Sequence, residues 1–205
     1  EGALVLVRPD HYVFGTAGGS AAALLAASRR ALGLDLSEKM ITRAKADTQD
    51  DAVEYRIADL ERLDLAAASF DLAYSSLAFR YIEDFGRLTR TVHQALLPGA
   101  HFIFTIEHPI FMAPTRPGWV VDNEGRRTWP VDRYAIEGRR VTDWLAKGVV
   151  KQHRTIGTTL NTLIASGFAI RHVEEWAPTA EQLAATPDLV DEIDRPMLLI
   201  VSAQR

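Results

Sequence analysis

The sequence predicts a doubly wound α/β fold: a mostly parallel, seven-stranded sheet whose last strand runs antiparallel. Three observations predict it. Short apolar runs alternate with helical stretches of about 10 to 15 residues, the pattern of a parallel sheet covered on both faces. A glycine-rich turn, Gly15-Thr16-Ala17-Gly18-Gly19, precedes an acidic residue, Asp35, at the tip of the second sheet strand. Two late β-like runs, Phe168 to Trp176 and Leu198 to Val201, are separated by a polar stretch holding Pro178 and Pro187. That spacing lets the last strand return antiparallel beside its predecessor. With 205 residues, one domain over 1–205 is expected, large enough to bury about 70 % of its unfolded surface.

Taken in order, Ala3 to Val7 and His11 to Phe14 are β-like, and Arg8-Pro9-Asp10 between them has turn chemistry, which predicts a hairpin. Ser20 is placed to cap an alanine- and leucine-rich helix through Leu32, and a strand follows at once to Asp35. Ser37 caps the next helix, with Met40, Ile41 and Ala44 on one face, and Val53 to Ala58 forms a strand ending at Asp59. Phe70 to Ser76 reads as a buried strand. Asp84 caps a helix whose Phe85, Leu88, Val92 and Leu96 form an i, i+3, i+7, i+11 stripe, stopped by Pro98-Gly99. His101 to Glu107 is the next strand.

The alternation breaks after His108. Pro109 to Gln152 is rich in Pro, Gly, Trp and Arg without a sustained period, and a segment of that length inside a compact domain is usually functional. It is read as a lid insertion over 109–154. Thr155 to Ser166 restores helical order, with Ile156, Leu160, Leu163 and Ile164 sharing a face and Gly167 as the stop.

Composition excludes several function classes. The net charge of −4 and the scattered basic residues lack the one-faced cluster that a phosphate backbone requires, so no nucleic-acid partner is expected. Without cysteine there is no disulfide framework, thiol nucleophile or Cys-ligated zinc, and the histidines at 11, 93, 101 and 172 show no ligand spacing, so no metal site is expected. No apolar run approaches the roughly 20 residues of a membrane helix, so no membrane partner is expected and a cytoplasmic location is. The oligomeric state is not legible.

Asp35 lies sixteen residues after Gly19. A carboxylate at the tip of a second strand, about 20 residues past a glycine turn, accepts hydrogen bonds from the vicinal hydroxyls of a ribose. An adenosine-type cofactor follows from that geometry. The alternative is that Asp35-Leu36-Ser37 only opens the helix.

From Leu32 onward the chain resembles the class I S-adenosylmethionine-dependent methyltransferases, in particular small bacterial ones acting on small molecules. The residues that carry the resemblance are Leu32-Gly33-Leu34-Asp35-Leu36-Ser37-Glu38-Lys39-Met40, Ala58-Asp59-Leu60, Ser69 to Leu77, and Leu97-Pro98-Gly99-Ala100. It implies a Rossmann-like methyltransferase sheet with S-adenosylmethionine as cofactor. Asp35, with Leu36 and Met40 beside it, would bind the ribose diol. Asp59 would accept from the adenine amino group, and the Leu60 amide would donate to the ring. Ser75 and Ser76 would face the methionine part, with Phe79 and Tyr81 beside them. No Asn-Pro-Pro-Tyr element follows that strand, which argues against amide or base methylation in macromolecules and leaves a small-molecule substrate.

Strand one and its loop are atypical. The family's Gly-x-Gly-x-Gly turn aligns with Gly15 and Gly19, but Ala17 holds the middle place and Val13 stands where an acid is expected. Leu4 to Gly15 looks like the C-terminal end of FAD-dependent aromatic-ring hydroxylases. The expectation is therefore a recombined chain, atypical over 1–31, that has lost its own first strand and glycine loop. Two rival functions stay open: a non-catalytic module without cofactor, and a nicotinamide-dependent oxidoreductase. The candidate general bases are His108, at the end of the fifth strand, and His153. Trp119, Trp129, Tyr134 and Trp144, with Arg154, either wall a substrate pocket or fasten the insert as a miniature core.

Overall fold

Ser37 and Asp84 act as the N-caps that the sequence predicts, accepting from the amides of Met40 and Arg87 respectively. Each therefore fixes where a strand hands over to a helix. The computed structural model describes residues 3–7, 30–142 and 147–205, and strands and helices are numbered here among those. The strands that follow from the apolar runs are β1 (Ala3–Val7), β2 (Ala31–Asp35), β3 (Val53–Ile57), β4 (Phe70–Ser76) and β5 (Leu96–Glu107). Helix α1 (Glu38–Asp47) links β2 to β3, and α2 (Phe85–Ala95) links β4 to β5.

One sheet holds the order β10-β11-β5-β4-β1-β2-β3, where β10 is Ala169–Glu175 and β11 is Leu198–Gln204. β11 runs antiparallel between β5 and β10, and the remaining pairs are parallel. The predicted seven strands and the antiparallel last strand are both present. The strand order reverses between β1 and β4, a switch point where open α/β sheets bind ligands beyond the carboxyl ends of their strands.

The hairpin expected at the N-terminus is not formed. β1 is flanked by β2 and β4, both parallel to it, so neither edge is left for an antiparallel partner. The chain has not lost its first strand: Ala3–Val7 occupies an interior position of the sheet, beside the central β4. The turn chemistry of Arg8-Pro9-Asp10 misled because it describes how a strand ends, not where the chain goes next. His11 to Phe14, Gly15 to Gly19 and most of the predicted Ser20 helix lie outside the described residues. That helix does not reach Leu32, since Ala31 and Leu32 belong to β2.

The core lies where the α2 stripe meets β4 and β5. Phe85, Leu88, Val92 and Leu96 are buried as predicted, against a cluster of Phe79, Phe102 and Phe104 with ring centroids 5.1 to 5.7 Å apart. At β2 the backbone must pass close to a ring, because a Cβ on Gly33 would lie 2.6 Å from Tyr55. Gly167, at φ +99°, supplies the left-handed stop after helix α4 (Ile156–Ala165), which Thr155 caps. In α4 the buried face is Thr159 and Leu163, with Ile156 and Leu160 partly covered, whereas Ile164 is exposed. Thr159 takes the expected place of Ile164 because its hydroxyl returns to the Thr155 carbonyl at 2.9 Å.

The insert is not an irregular loop. It holds a short helix α3 (Pro109–Met112), a hairpin of β6 (Val120–Val121) and β7 (Arg127–Thr128), and a longer hairpin of β8 (Gly138–Thr142) and β9 (Val149–His153). Strands of two to five residues are too short for a legible period. Beyond β10 come α5 (Ala180–Ala185) and α6 (Asp191–Asp194). Among the described residues no helix is long and apolar enough to cross a membrane.

Candidate functional site

The carboxyl ends of β2 and β3 bring two predicted carboxylates together. The Ala58 amide donates to the Asp35 carbonyl at 2.9 Å, which sets Asp59 beside Asp35 on one edge of the sheet. Asp35 is buried, and its Oδ1 accepts from the Ser37 amide at 2.6 Å. Its capping role is therefore real, and it fixes the carboxylate rather than excluding a ligand. Asp59 is exposed, and its Oδ1 accepts from the Glu61 amide at 2.9 Å to open a 3-10 turn over Leu60–Arg62. Leu36, the residue after Asp35, stands 70 % exposed, an apolar side chain left open next to a polar group.

One strand beyond β1, the tip of β4 is also prepared. Ser75 is fully buried, and among the described residues its hydroxyl has no hydrogen-bond partner. Thr105 Oγ1 donates to Ser76 Oγ at 3.4 Å. Leu77, the next residue, is held at φ +55° with its amide donating to the Thr105 carbonyl at 2.9 Å. A left-handed leucine stores about 1 to 3 kcal/mol, and such strain gathers at ligand-binding positions. Paired carboxylates, an uncovered apolar side chain and an orphaned buried hydroxyl fit an adenosyl cofactor laid along this edge. Gly15 and Gly19 lie outside the described residues.

Several residues expected to face substrate do other work. Phe79 is enclosed in the phenylalanine cluster. The Arg154 guanidinium is spent on the carbonyls of Phe79, Ile82 and Glu83. Tyr134 accepts from the Ile156 amide at 3.3 Å and so helps cap α4. Trp119 packs edge-on to Trp129, which stacks on Phe111, and the Arg195 guanidinium lies 4.5 to 5.6 Å from all three rings. That is the miniature-core use of tryptophan. It fastens the insert to the segment after α6. Trp144 lies outside the described residues, and Tyr81 is half-buried beyond the β4 tip.

The two histidines differ. His108 Nδ1 accepts from the Ile110 amide at 3.0 Å, so Nε2 carries the proton and donates to Glu175 at 2.8 Å. Neither nitrogen has a free lone pair, and His108 caps α3 instead of acting as a base. His153 Nε2 faces the Tyr134 carbonyl at 2.8 Å, and a carbonyl only accepts, so Nε2 again holds the proton. Its Nδ1 is buried and has no partner among the described residues.

Burial pushes both imidazoles below their usual range, outweighing Glu175 at His108 and the Tyr134 carbonyl at His153. Below pH 6.5 the unfolded chain then binds protons that the folded chain does not, so stability falls as pH drops. A lower denaturation midpoint at pH 5.5 than at pH 7.5, with the difference reduced in His153→Phe, is expected in urea titrations. Equal midpoints in the wild type would contradict it.

Sequence reasoning missed Arg80, Glu107 and Lys151. Arg80 is wholly buried, donating to the Glu107 carbonyl through Nε and Nη2 at 3.1 and 2.6 Å and to the carbonyls of Gln152 and Arg154 through Nη1 at 3.5 and 3.2 Å. Burial holds its pKa down at about 10, against the field of Glu107. Glu107 pairs with Lys151 at 2.5 Å, and both are buried. The signal available was that Arg80 interrupts the otherwise apolar run Leu77 to Ile82; Lys151, followed by Gln152-His153-Arg154, gave none.

The family described as methyltransferase domain matches residues 13–104. A solved S-adenosylmethionine-dependent methyltransferase from Mesorhizobium loti is 59 % identical, aligned over 98 % of this chain and 90 % of its own, with a TM-score of 0.89. A solved putative S-adenosylmethionine-dependent methyltransferase from Listeria monocytogenes is 34 % identical over 99 % of this chain and 89 % of its own, with a TM-score of 0.85. An uncharacterized protein of Haemophilus influenzae is 32 % identical over 184 residues, 86 % of this chain and 72 % of that protein. Similarity over almost the whole chain, together with the carboxylate pair and the strained β4 tip, places this chain in the S-adenosylmethionine-dependent methyltransferase family.

Proposed function

We propose that this chain transfers a methyl group from S-adenosylmethionine to a small-molecule acceptor. The observation that carries the reading is the placement of Asp35 at the end of β2 and Asp59 just past the end of β3, with exposed Leu36 directly after Asp35. Asp35 would take the ribose diol, Asp59 and the Leu60 amide the adenine, and Leu36 and Met40 its apolar surroundings. Ser75 and Ser76 would face the methionine part, with backbone at Gly15 and Gly19 closing on its end. The cofactor supplies an electrophilic methyl carbon. The protein then contributes orientation and exclusion of water.

Two features support a small acceptor. The basic residues are scattered along the sequence, and no Asn-Pro-Pro-Tyr element follows β4. The insert over 109–154, one part of a single domain over 1–205, would serve as the lid on the acceptor side, with Tyr81 near its margin. A nicotinamide role is disfavoured by the antiparallel β11 and by the second carboxylate, Asp59. Isothermal titration of S-adenosylmethionine and S-adenosylhomocysteine, with NADH as control, tests the reading. Micromolar affinity for both sulfur ligands and none for NADH is expected. A folded protein that releases no heat with either would sink it.

A further inference from the structure

The turn that carries Asp59 and Leu60 is fastened from outside by two charged side chains. It is a single 3-10 turn with few hydrogen bonds of its own: the Arg62 amide donates to the Asp59 carbonyl at 3.0 Å, and the Leu63 amide to the Leu60 carbonyl at 3.4 Å. A turn that short has poor internal geometry and does not hold its shape alone. Its carbonyl end is taken by Arg87 of α2, whose Nη1 donates to the Leu63 carbonyl at 3.1 Å and whose Nη2 donates to the Leu60 carbonyl. A guanidinium suits that pair, because its rigid fork reaches two acceptors and its charge complements a helical C-terminus. The return contact comes from Glu61, inside the turn. Its Oε1 accepts from the Glu83 amide and its Oε2 from the Asp84 amide at 3.3 Å, the two amides just ahead of α2. Turn and helix are therefore tied in both directions, across 22 to 27 residues of sequence.

Those ties govern what the turn presents. Asp59 Oδ1 is occupied by the Glu61 amide at 2.9 Å, which leaves Oδ2 with only the exposed Arg62 Nε at 4.0 Å. The Leu60 amide, at the first position of the turn, has no acceptor within it. One acceptor beside one donor matches the amino group and N1 of adenine, whereas hypoxanthine, with a carbonyl at C6 and a proton on N1, offers the reverse order. Resting on the methyl-transfer reading, we propose that Arg87 and Glu61 are positioning residues for the cofactor's base. Neither touches it; together they hold Asp59 Oδ2 and the Leu60 amide at the spacing that selects adenine over hypoxanthine. The link is short. Arg87 holds the carbonyl of Leu60, the residue whose amide reads the ring, and Glu61 supplies the amide that fixes Asp59 Oδ1. Without the ties the turn samples other orientations, so affinity and base preference fall together. A loss of stability alone changes neither in the molecules that stay folded.

The test titrates S-adenosylhomocysteine and S-inosylhomocysteine, which differ only in the base, into the full chain by calorimetry. The wild type should prefer the adenine ligand by about tenfold or more. Arg87→Met keeps an aliphatic stem and removes both donors; the preference should shrink to about threefold or less, with most of the loss on the adenine ligand. Arg87→Lys retains a charged donor without the fork and should restore part of it. A double-mutant cycle of Arg87→Met with Asp59→Ala should be non-additive for S-adenosylhomocysteine, because the two residues act through one turn. If Arg87→Met does not fold by circular dichroism, Glu61→Gln, a change of charge with little change of size at a half-buried position, carries the same expectation. A wild type without base preference, a folded variant with the wild-type preference, or an additive cycle would each overturn the proposal. No heat from S-adenosylhomocysteine in the wild type would overturn the methyl-transfer reading and this proposal with it. Heat with an unchanged preference in the folded variants overturns this proposal alone.

Discussion

Asp35→Asn is expected to weaken S-adenosylhomocysteine binding by about 30-fold, from the loss of about 2 kcal/mol as charge-assisted hydrogen bonds to the ribose diol become neutral ones. Asparagine keeps the side-chain oxygen that accepts from the Ser37 amide, so α1 should open as before. That separation matters, because Asp35 is both a cap and a ligand candidate, and an alanine would remove the two roles together. Calorimetric titration beside a urea melt distinguishes them. A dissociation constant within twofold of the wild type would reduce Asp35 to its capping role. Loss of stability without change in affinity would point the same way.

Arg80→Met should be the most destabilising single change at the site's support. Three backbone carbonyls, those of Glu107, Gln152 and Arg154, would lose their donors, at about 1 to 3 kcal/mol each. Against this, burying the guanidinium is itself unfavourable, as its depressed pKa of about 10 shows, and methionine recovers part of that penalty. The carbonyl losses outweigh the recovery because they fall at the junction of β5 with β9, where water has little access. A net loss of about 3 kcal/mol lowers Tm by about 6 to 12 °C in a chain of this size. Hydrogen exchange should rise first in the β8–β9 hairpin. A Tm within about 2 °C of the wild type would show that the carbonyls find other partners.

Much of the fold was legible in local chemistry. Ser37 and Asp84 each cap the helix that follows them, Phe70 to Ser76 is β4 over its whole length, and Leu198 begins the antiparallel strand. Those features depend on neighbours within four residues, or on an apolar period that one element carries by itself. The carboxylates at 35 and 59 were legible for the same reason, since Asp35 ends β2 and Asp59 lies two residues past the end of β3.

Placement between distant segments was not legible. The sequence by itself determined the strand–helix alternation, the caps and the candidate adenosine-binding acids, because propensity, periodicity and turn chemistry are local. Only the tertiary structure decided that Ala3–Val7 sits between two parallel strands rather than in a hairpin, since strand pairing joins residues up to about seventy positions apart. It alone showed that Arg154, Trp119 and Tyr134 fasten the insert while Arg80, Glu107 and Lys151 meet beneath it. A side chain's environment in a close-packed interior is set by whichever elements fold onto it, and a charge or an aromatic ring reads the same in sequence whether it waits for a ligand or is already paired.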